Sequence, residues 1–494
     1  MQLLYCDALA NSDRSFKTID PTHCHASAHP KDEGGVSFSV KDKAAGEDEV
    51  NADTPSTLSV SEVSTRYLRR VVTAASEYLG KKVTSAVITI PTNFGDKQRE
   101  ALTKAANDAG VEVLQLISEP VASILAYDAR PEATVEDKIV VVADLGGTRS
   151  DITVVASRSG MYTLLSTVHD YEFAGAHLDQ VLMDHFAKDF FRFHNIDPRE
   201  QPRSLAKLKA ESEATKKALS KSQNAQFSVE SLAEGIDFST SINRLRYEML
   251  GRKVFDGFNR LIEGAIKKAG LDLLDIDEVI LAGGTGHTPR VANNIASMFP
   301  ETTAILAPAT SATAINPSEL SVRGAALQAS LVQEFDAADI EQSTHPAVTT
   351  VKHITNSIGV LTVGAGGDEV FTPIIAPETA VPARRTIQLP APKDGGDVLV
   401  KVVEGNTHIK VTQPEPKAKA AAGDDDSEEE SEDEDEKREK EWKVGATLAE
   451  AALRGAKKGG KVEVTVNVQA DLGVTVSIRG VGEKGGVRGS IKGS

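Results

Sequence analysis

The apolar run Ile139-Val140-Val141-Val142-Ala143 passes without a break into Asp144-Leu145-Gly146-Gly147-Thr148-Arg149-Ser150-Asp151, and this stretch constrains the chain most. It reads as a buried strand ending in a glycine turn framed by two carboxylates. Gly146 and Gly147 carry no Cβ, so their backbone N–H groups can approach phosphate oxygens closely. A carboxylate at a strand end can hold a hydrated Mg²⁺. By itself the pattern is equally that of an ordinary hairpin turn.

A second element of the same kind follows: Val279-Ile280-Leu281-Ala282 runs into Gly283-Gly284-Thr285-Gly286, with Pro289 shortly after. Between the two lies a helical segment, Leu205 to Ser222, on which Glu213, Lys216, Lys217 and Ser220 recur at i, i+3, i+4 and i+7 and so share a face. Glu213 and Ser220 are of the type that bonds ribose hydroxyls. The two lysine stems could cover an adenine while their ammonium groups face phosphate. The same spacing also describes a solvated face with a helical ion pair.

Ile88-Thr89-Ile90-Pro91-Thr92-Asn93-Phe94, Ile117-Ser118-Glu119-Pro120, Gly235-Ile236-Asp237-Phe238, Asn316-Pro317-Ser318-Glu319 and Gly324-Ala325-Ala326-Leu327-Gln328 stand in a fixed order along the chain. In that order and spacing the chain resembles the heat shock protein 70 family, from about Val36 to the C-terminus. The resemblance implies an α/β, actin-like ATPase domain whose halves close on ATP between paired phosphate hairpins. It places Gly146, Gly147, Thr148, Gly283, Gly284, Thr285 and His287, with the four helix residues above, around the nucleotide. Asp144, Glu119 and Asp151 then stand where the family organises Mg²⁺ and water. Pro91 and Arg99 match a pair that relays nucleotide state.

The departures from the family are as informative. Its first phosphate hairpin, of the Asp-Leu-Gly-Thr-Thr type, and the lysine after it have no counterpart near the N-terminus. Residues 1 to 35 read as a disordered arm, an alternative start, or a chain whose beginning lies upstream of Met1. Thr148 replaces a third glycine, Arg149 a phosphate-binding threonine and His287 an adenine-stacking arginine. Ala176-His177 replaces an acidic pair after Gly175. Fewer donors then face the charge that develops as γ-phosphate leaves, so hydrolysis is expected to be feeble or absent, with no catalytic residue assigned.

At 494 residues with 40% hydrophobic composition the chain supports about three domains with ample core. It holds no run of 18 apolar residues, and Met1-Gln2-Leu3-Leu4-Tyr5-Cys6 lacks a basic start, so neither a transmembrane helix nor secretion is expected. Cys6 and Cys24 alone make no disulfide framework, which fits a reducing cytosol. Asp424 to Glu436 holds 11 acidic residues in 13 positions; setting these aside, the net charge of −17 falls to −6. Such a run repels itself into an extended, solvated loop, within which Ser427 and Ser431 suit an acid-directed kinase. Direct RNA binding is not expected at this charge.

Periodicity sets the boundaries. A Ser59-x-x-Glu62 capping box precedes Val63, Tyr67, Val71 and Ala75, an amphipathic helix closed by Gly80. A strand 86–90, a helix 96–109 and a strand 111–116 follow. The sequence Ser157-Arg158-Ser159-Gly160 turns the phosphate strand back into a partner over 161–168. Residues 242–269 read as helical, with Leu245, Leu250, Val254, Phe258 and Leu261 as a core stripe. The actin-like domain thus spans 36–333 and a polar connector 334–349, the latter lacking the apolar linker of active family members. From 350 to 494 short strands alternate, most cleanly at Val462, Val464, Val466 and Val468. These resemble the family's peptide-binding β-sandwich, with an acidic insertion at 414–440 and without the helical lid that follows it in the family.

Within the family these departures resemble the atypical member of fungal ribosome-associated complexes, which pairs with the J-domain protein zuotin. That implies a non-catalytic, cytoplasmic co-chaperone that binds ATP weakly and forms a stable heterodimer with its J-domain partner. Contact with the ribosome, a conventional heat shock 70 protein and nascent chains would be indirect, with no membrane involved. The alternative is an ATP-hydrolysing chaperone that itself captures and releases unfolded polypeptides.

Overall fold

The computed structural model describes residues 27–30, 36–40, 56–131, 133, 136–344, 351–363, 369–392, 395–412, 437–482 and 485–492. Strands β1 (Ser27–Pro30), β2 (Val36–Val40) and β3 (Ser56–Ser59) form an antiparallel sheet. Part of the segment left unplaced by sequence is therefore sheet rather than a free arm. Cys6 and Cys24 lie outside the described residues.

Helix α1 (Val60–Leu79) starts at the expected capping box. The Glu62 N–H donates to Ser59 Oγ at 3.2 Å and the Ser59 N–H to the Glu62 carboxylate at 3.0 Å. Gly80 ends the helix at φ +64, a left-handed cap that suits glycine. The expected apolar stripe is not its packed side, since Tyr67 and Val71 are 53% and 47% exposed while Val60 and Ser64 are buried. A four-residue repeat drifts about 40° per step on a 3.6-residue helix, so the stripe leaves the packed face within two turns.

Strand β4 (Ser85–Ile90), helix α2 (Asp96–Asp108) and strand β5 (Glu112–Ser118) make a parallel β-α-β unit, which leads directly into α3 (Glu119–Asp128). Next come β6 (Lys138–Leu145), β7 (Ser150–Arg158) and β8 (Met161–Asp170). Ser159 and Gly160, at φ 52 and 85, close the tight hairpin between β7 and β8. Helices α4 (Gly175–His194) and α5 (Pro202–Lys221), the hairpin β9 (Asn224–Ala233) and β10 (Ile236–Asn243), and helices α6 (Arg244–Leu250) and α7 (Arg252–Lys268) follow.

The expected continuous helix over 242–269 breaks at Gly251. The break changes the phase of the stripe: Val254 and Phe258 are buried, but Leu245 is 68% exposed. Strand β11 (Glu278–Ala282), helix α8 (Pro289–Ala296) and strand β12 (Ala304–Leu306) complete a five-stranded sheet of order β12-β11-β6-β7-β8. β6 is buried on both faces. Val141, Ala143 and Leu145 pack with Leu178 and Phe186 of α4 and Phe258 of α7, while Val140 and Val142 pack with Ile124 and Tyr127 of α3.

Helix α9 (Leu320–Val332) lies against α3, where Gly324 meets the Ala122 backbone so closely that a Cβ would collide. Helix α10 (Ala337–Thr344) then occupies the stretch read from sequence as a polar connector, its first turn closed onto the Asp336 carbonyl by the Asp339 and Ile340 N–H groups. The C-terminal region holds β13 (Ser357–Val363), β14 (Glu369–Ile375), β15 (Ala383–Pro390), β16 (Gly396–Thr412), β17 (Lys437–Ala456), β18 (Lys461–Val468), β19 (Val474–Gly480) and β20 (Val487–Ile491). They form two antiparallel sheets, β14-β13-β16-β17 and β15-β18-β19-β20. The sheets share one core, in which Val360, Ile375 and Val402 meet Val462, Val464, Val466 and Ile478. Thr412 pairs with Lys437, so residues 437–440 belong to β17 rather than to the acidic insertion expected there. The tract Asp424 to Glu436 lies outside the described residues.

The two regions are clasped together. Arg158, at the end of β7 and only 4% exposed, donates through Nε to the Pro377 carbonyl at 3.0 Å and through Nη1 to the Lys138 carbonyl at 3.0 Å. Arg385 bonds to Ser159 Oγ, and His353 Nε2 lies 3.2 Å from Thr163 Oγ1. Arg438 and Lys440 of β17 pair with Asp272 and Asp275 at 2.6 and 2.8 Å.

Candidate functional site

Strands β6 and β11 run parallel with Asp144 beside Ala282, so both glycine turns leave the same edge of the sheet, at the strands' carboxyl ends. That edge is where ligands sit in open α/β sheets. The first turn closes when the Gly146 N–H donates to the Arg149 carbonyl at 3.0 Å. The second begins at Gly283, φ +80, where a Cβ would lie 2.6 Å from Asp144 Oδ1. Thr285 Oγ1 donates to the Gly146 carbonyl at 3.1 Å and ties one turn to the other.

The N-terminus of α4 is bolted to the same place. Its Gly175 and Ala176 N–H groups donate to the Gly146 and Gly147 carbonyls at 2.9 and 2.6 Å. A Cβ on Gly175 would meet Thr285 Oγ1 at 2.6 Å. Gly146, Gly147, Thr148, Gly283, Gly284 and Thr285 are thus brought together. His287, at the end of the short turn after Gly283, has its Nε2 3.1 Å from Ser318 Oγ.

The helix residues divide. Glu213 and Lys217 form an exposed ion pair of 2.6 Å, and Ser220 Oγ donates to the Lys216 carbonyl at 3.3 Å. Lys216 departs from the expectation that its stem covers a base. Its ammonium turns inward, 2.8 Å from the Asp179 carboxylate, and donates to the Gly175 carbonyl at 2.9 Å. The physical reason is Asp179, a carboxylate of α4 whose side chain is only 12% exposed and needs a counter-charge. Burial still pushes the Asp179 carboxyl up, against the pull of Lys216. Burial, and then Asp179, likewise raises the nearby Tyr247 phenol.

Asp144 and Asp151 face each other directly across β6 and β7, and two like charges so placed repel. Two features relieve this. Burial, and then Asp151, push the Asp144 carboxyl up to about 6, with Arg149 pulling the other way. Asp151 is held on both oxygens, by Arg149 Nη2 at 2.5 Å and His169 Nδ1 at 2.6 Å. Thr92 Oγ1 lies 3.5 Å from the other nitrogen of His169.

Glu119, the first residue of α3, joins Asp144, Asp151, Thr92 and Pro120 around a single cavity of about 10 Å³, room for about one water. Among the described residues no group of three or more His, Cys, Asp or Glu is arranged to hold a metal ion. The three carboxylates that the resemblance assigns to Mg²⁺ and its water therefore line one cavity. The cation beside Asp151 is a guanidinium.

Asp179, His169 and Thr92 do not stand out as site residues in the sequence. Asp179 could have been noticed as a charge set among Leu178, Leu182 and Met183 on one apolar helix face. His169 could not be counted from the hairpin turn, because a bulge between Val154 and Val155 shifts the β7–β8 register by one residue and brings His169 opposite Asp151.

The family profile described as "Hsp70 protein" matches residues 9–418. It begins inside the segment 1–35 that the motifs alone left unplaced. A heat shock protein 70 homolog of Schizosaccharomyces pombe is 42% identical over 405 residues, covering 81% of this chain and 70% of its own. The ribosome-associated complex subunit SSZ1 of Saccharomyces cerevisiae is 38% identical over 436 residues, 88% of this chain and 79% of its own. The heat shock cognate 70 kDa protein 3 of Dictyostelium discoideum is 32% identical over 351 residues, 71% of this chain and 53% of its own. Among the described residues, no helix is long and apolar enough to cross a membrane.

Proposed function

This chain belongs to the Hsp70 family, and on that premise we propose that it is a nucleotide-binding subunit that hydrolyses ATP poorly or not at all. It would serve a J-domain partner in a cytoplasmic, ribosome-associated complex. The observation that carries the reading is the Arg149 guanidinium, 7% exposed and 2.5 Å from Asp151, inside the turn that would receive the phosphates. In the resemblance described above, that turn presents a threonine to phosphate, and the carboxylate opposite is one that organises Mg²⁺ and water. With Asp151 committed to Arg149 and His169, it is poorly placed to orient an attacking water.

The residues present fit a nucleotide better than a metal. Two glycine turns abut at the strand ends, and Glu213, Lys217 and Ser220 lie along the helix face nearby. When bound, ATP would supply charge and shape that draw the turns and the helix face together. Likeness to a ribosome-associated complex subunit over 88% of the chain supports the proposed setting. The two-sheet region would offer a surface for extended polypeptide, supplied by the partner rather than by a cycling client.

The test has two arms on the purified full-length protein. Calorimetric titration with ATP is expected to show binding, and single-turnover measurement is expected to show hydrolysis no faster than a buffer control. Affinity capture from cytosol, with and without ribosomes, is expected to recover a J-domain protein in both cases. Brisk turnover coupled to release of unfolded chains would establish the alternative, a cycling chaperone.

A further inference from the structure

We propose that the solvent face of α7 is a docking surface for this chain's own acidic tract, Asp424 to Glu436. Three features select that occupant: the charge of the face, the point at which the described chain leaves toward the tract, and the reach of the residues between.

Lys253, Arg260 and Lys267 recur every seven residues, close to two turns of helix, and all three are exposed, so they form one line along the solvent face of α7. Arg252 stands beside the start of the line, 3.6 Å from Asp256. Asp256 and Glu263 flank the row. Among the described residues, however, no carboxylate lies within ion-pair distance of Lys253, Arg260 or Lys267. Around the first turn of α7 opens a recess of about 690 Å³, where Arg252, Lys253 and Arg260 meet the single carboxylate of Asp256. A row of uncompensated cations in a chain of net charge −17 attracts that chain's densest run of carboxylates.

The chain leaves toward the tract, and returns from it, near the end of this row. Thr412 pairs with Lys437, so the two described ends of the segment 413–436 stand side by side. They are pinned close to the C-terminal end of α7, because Arg438 pairs with Asp272 at 2.6 Å and Lys440 with Asp275 at 2.8 Å, just beyond Lys268. From Lys268 back to Arg252 the helix rises about 24 Å at 1.5 Å per residue, a span that about eight residues of extended chain cover at 3.3 Å each. The tract has 13 residues, 11 of them acidic, and so reaches every cation of the row. Tethering supplies it at an effective concentration of about millimolar, enough for several exposed ion pairs that are individually weak and screened by salt.

The experiment treats the purified full-length protein with a water-soluble carbodiimide, which joins a carboxylate to a lysine amine as an amide with loss of water. Coupled peptides are then identified by mass spectrometry. Tract peptides should be found joined to Lys253 and Lys267 at low salt, and these links should vanish in about 1 M NaCl, where charges are screened beyond about 3 Å. Isotopically heavy and light protein, mixed before coupling, should give only heavy–heavy and light–light pairs. In a chain whose 11 tract carboxylates are changed to amides (Asp→Asn, Glu→Gln), acetylation of Lys253 and Lys267 should rise about threefold or more. Arg260→Glu, in the middle of the row, should weaken the links to both lysines. Tract peptides joined to other lysines and not to α7 would overturn the inference. Mixed heavy–light pairs would do the same, by making a second copy the occupant. Equal acetylation of the native and amide chains would also overturn it, since a face reserved for a separate partner stands open in the purified protein. Should the amide chain fail to fold, as judged by circular dichroism, the native links and their salt dependence decide alone.

Discussion

Replacing Lys216 with methionine removes an ammonium whose side chain is 14% exposed, from beside an Asp179 carboxylate that is 12% exposed. Asp179 then keeps its place next to Leu178 and Leu182 without its counter-charge. Removing one partner of a buried pair costs about 3–5 kcal/mol. Here the residual exposure of both groups lets solvent screen part of that loss, and the carboxyl, already pushed up by burial, can take a proton instead. We expect about 2–3 kcal/mol. Lys216→Met with Asp179→Asn should cost less than Lys216→Met alone, because no charge is left stranded.

The assay follows from the composition, since Trp442 in β17 is the sole tryptophan of the chain. Its fluorescence during urea unfolding reports the two-sheet region, while helical circular dichroism reports chiefly the α/β region. Lys216→Met should lower the circular dichroism midpoint and leave the fluorescence midpoint nearly unmoved. A cost under about 1 kcal/mol, or a double variant whose cost is the sum of the two singles, would refute the reasoning.

Gly283→Ala should cost about 2–4 kcal/mol, because φ +80 is strained for alanine and its Cβ would press on Asp144 Oδ1; ATP titration should show binding lost together with stability. Arg158→Ala leaves the Pro377 and Lys138 carbonyls without their donor, at about 2–3 kcal/mol. Hydrogen exchange should rise on both sides of the clasp, and unchanged exchange around Pro377 would count against it. Phe258→Ala, fully buried, should cost about 3–5 kcal/mol in urea unfolding, whereas Leu245→Asp should stay within about 0.5 kcal/mol. Equal costs for the two would mean that the helix does not change phase at Gly251.

Features written locally in the chain were legible before the structure. The β6 run, both glycine turns and the alternation at Val462, Val464, Val466 and Val468 each follow from one segment's own pattern, and each occupies the position that pattern implies. What escaped depends on residues far apart in sequence. Lys216 looked like a nucleotide contact until Asp179, 37 positions away, claimed its charge. His169 was hidden by a one-residue bulge that no count from the hairpin turn could reveal. The face of α1 was misjudged for a different reason: a repeat of four satisfies the eye before it satisfies a helix of 3.6 residues per turn.

Strand β7 carries Asp151, its second residue, beside the phosphate turn and ends with Arg158 on the Pro377 carbonyl. Seven residue-to-residue steps of extended chain separate the two, about 23 Å at 3.3 Å per step, and the strand is hydrogen-bonded on both sides. It behaves as a spoke. A shift of the turn is therefore expected to be felt at the Pro377 contact, which hydrogen exchange at the two ends of the strand would report.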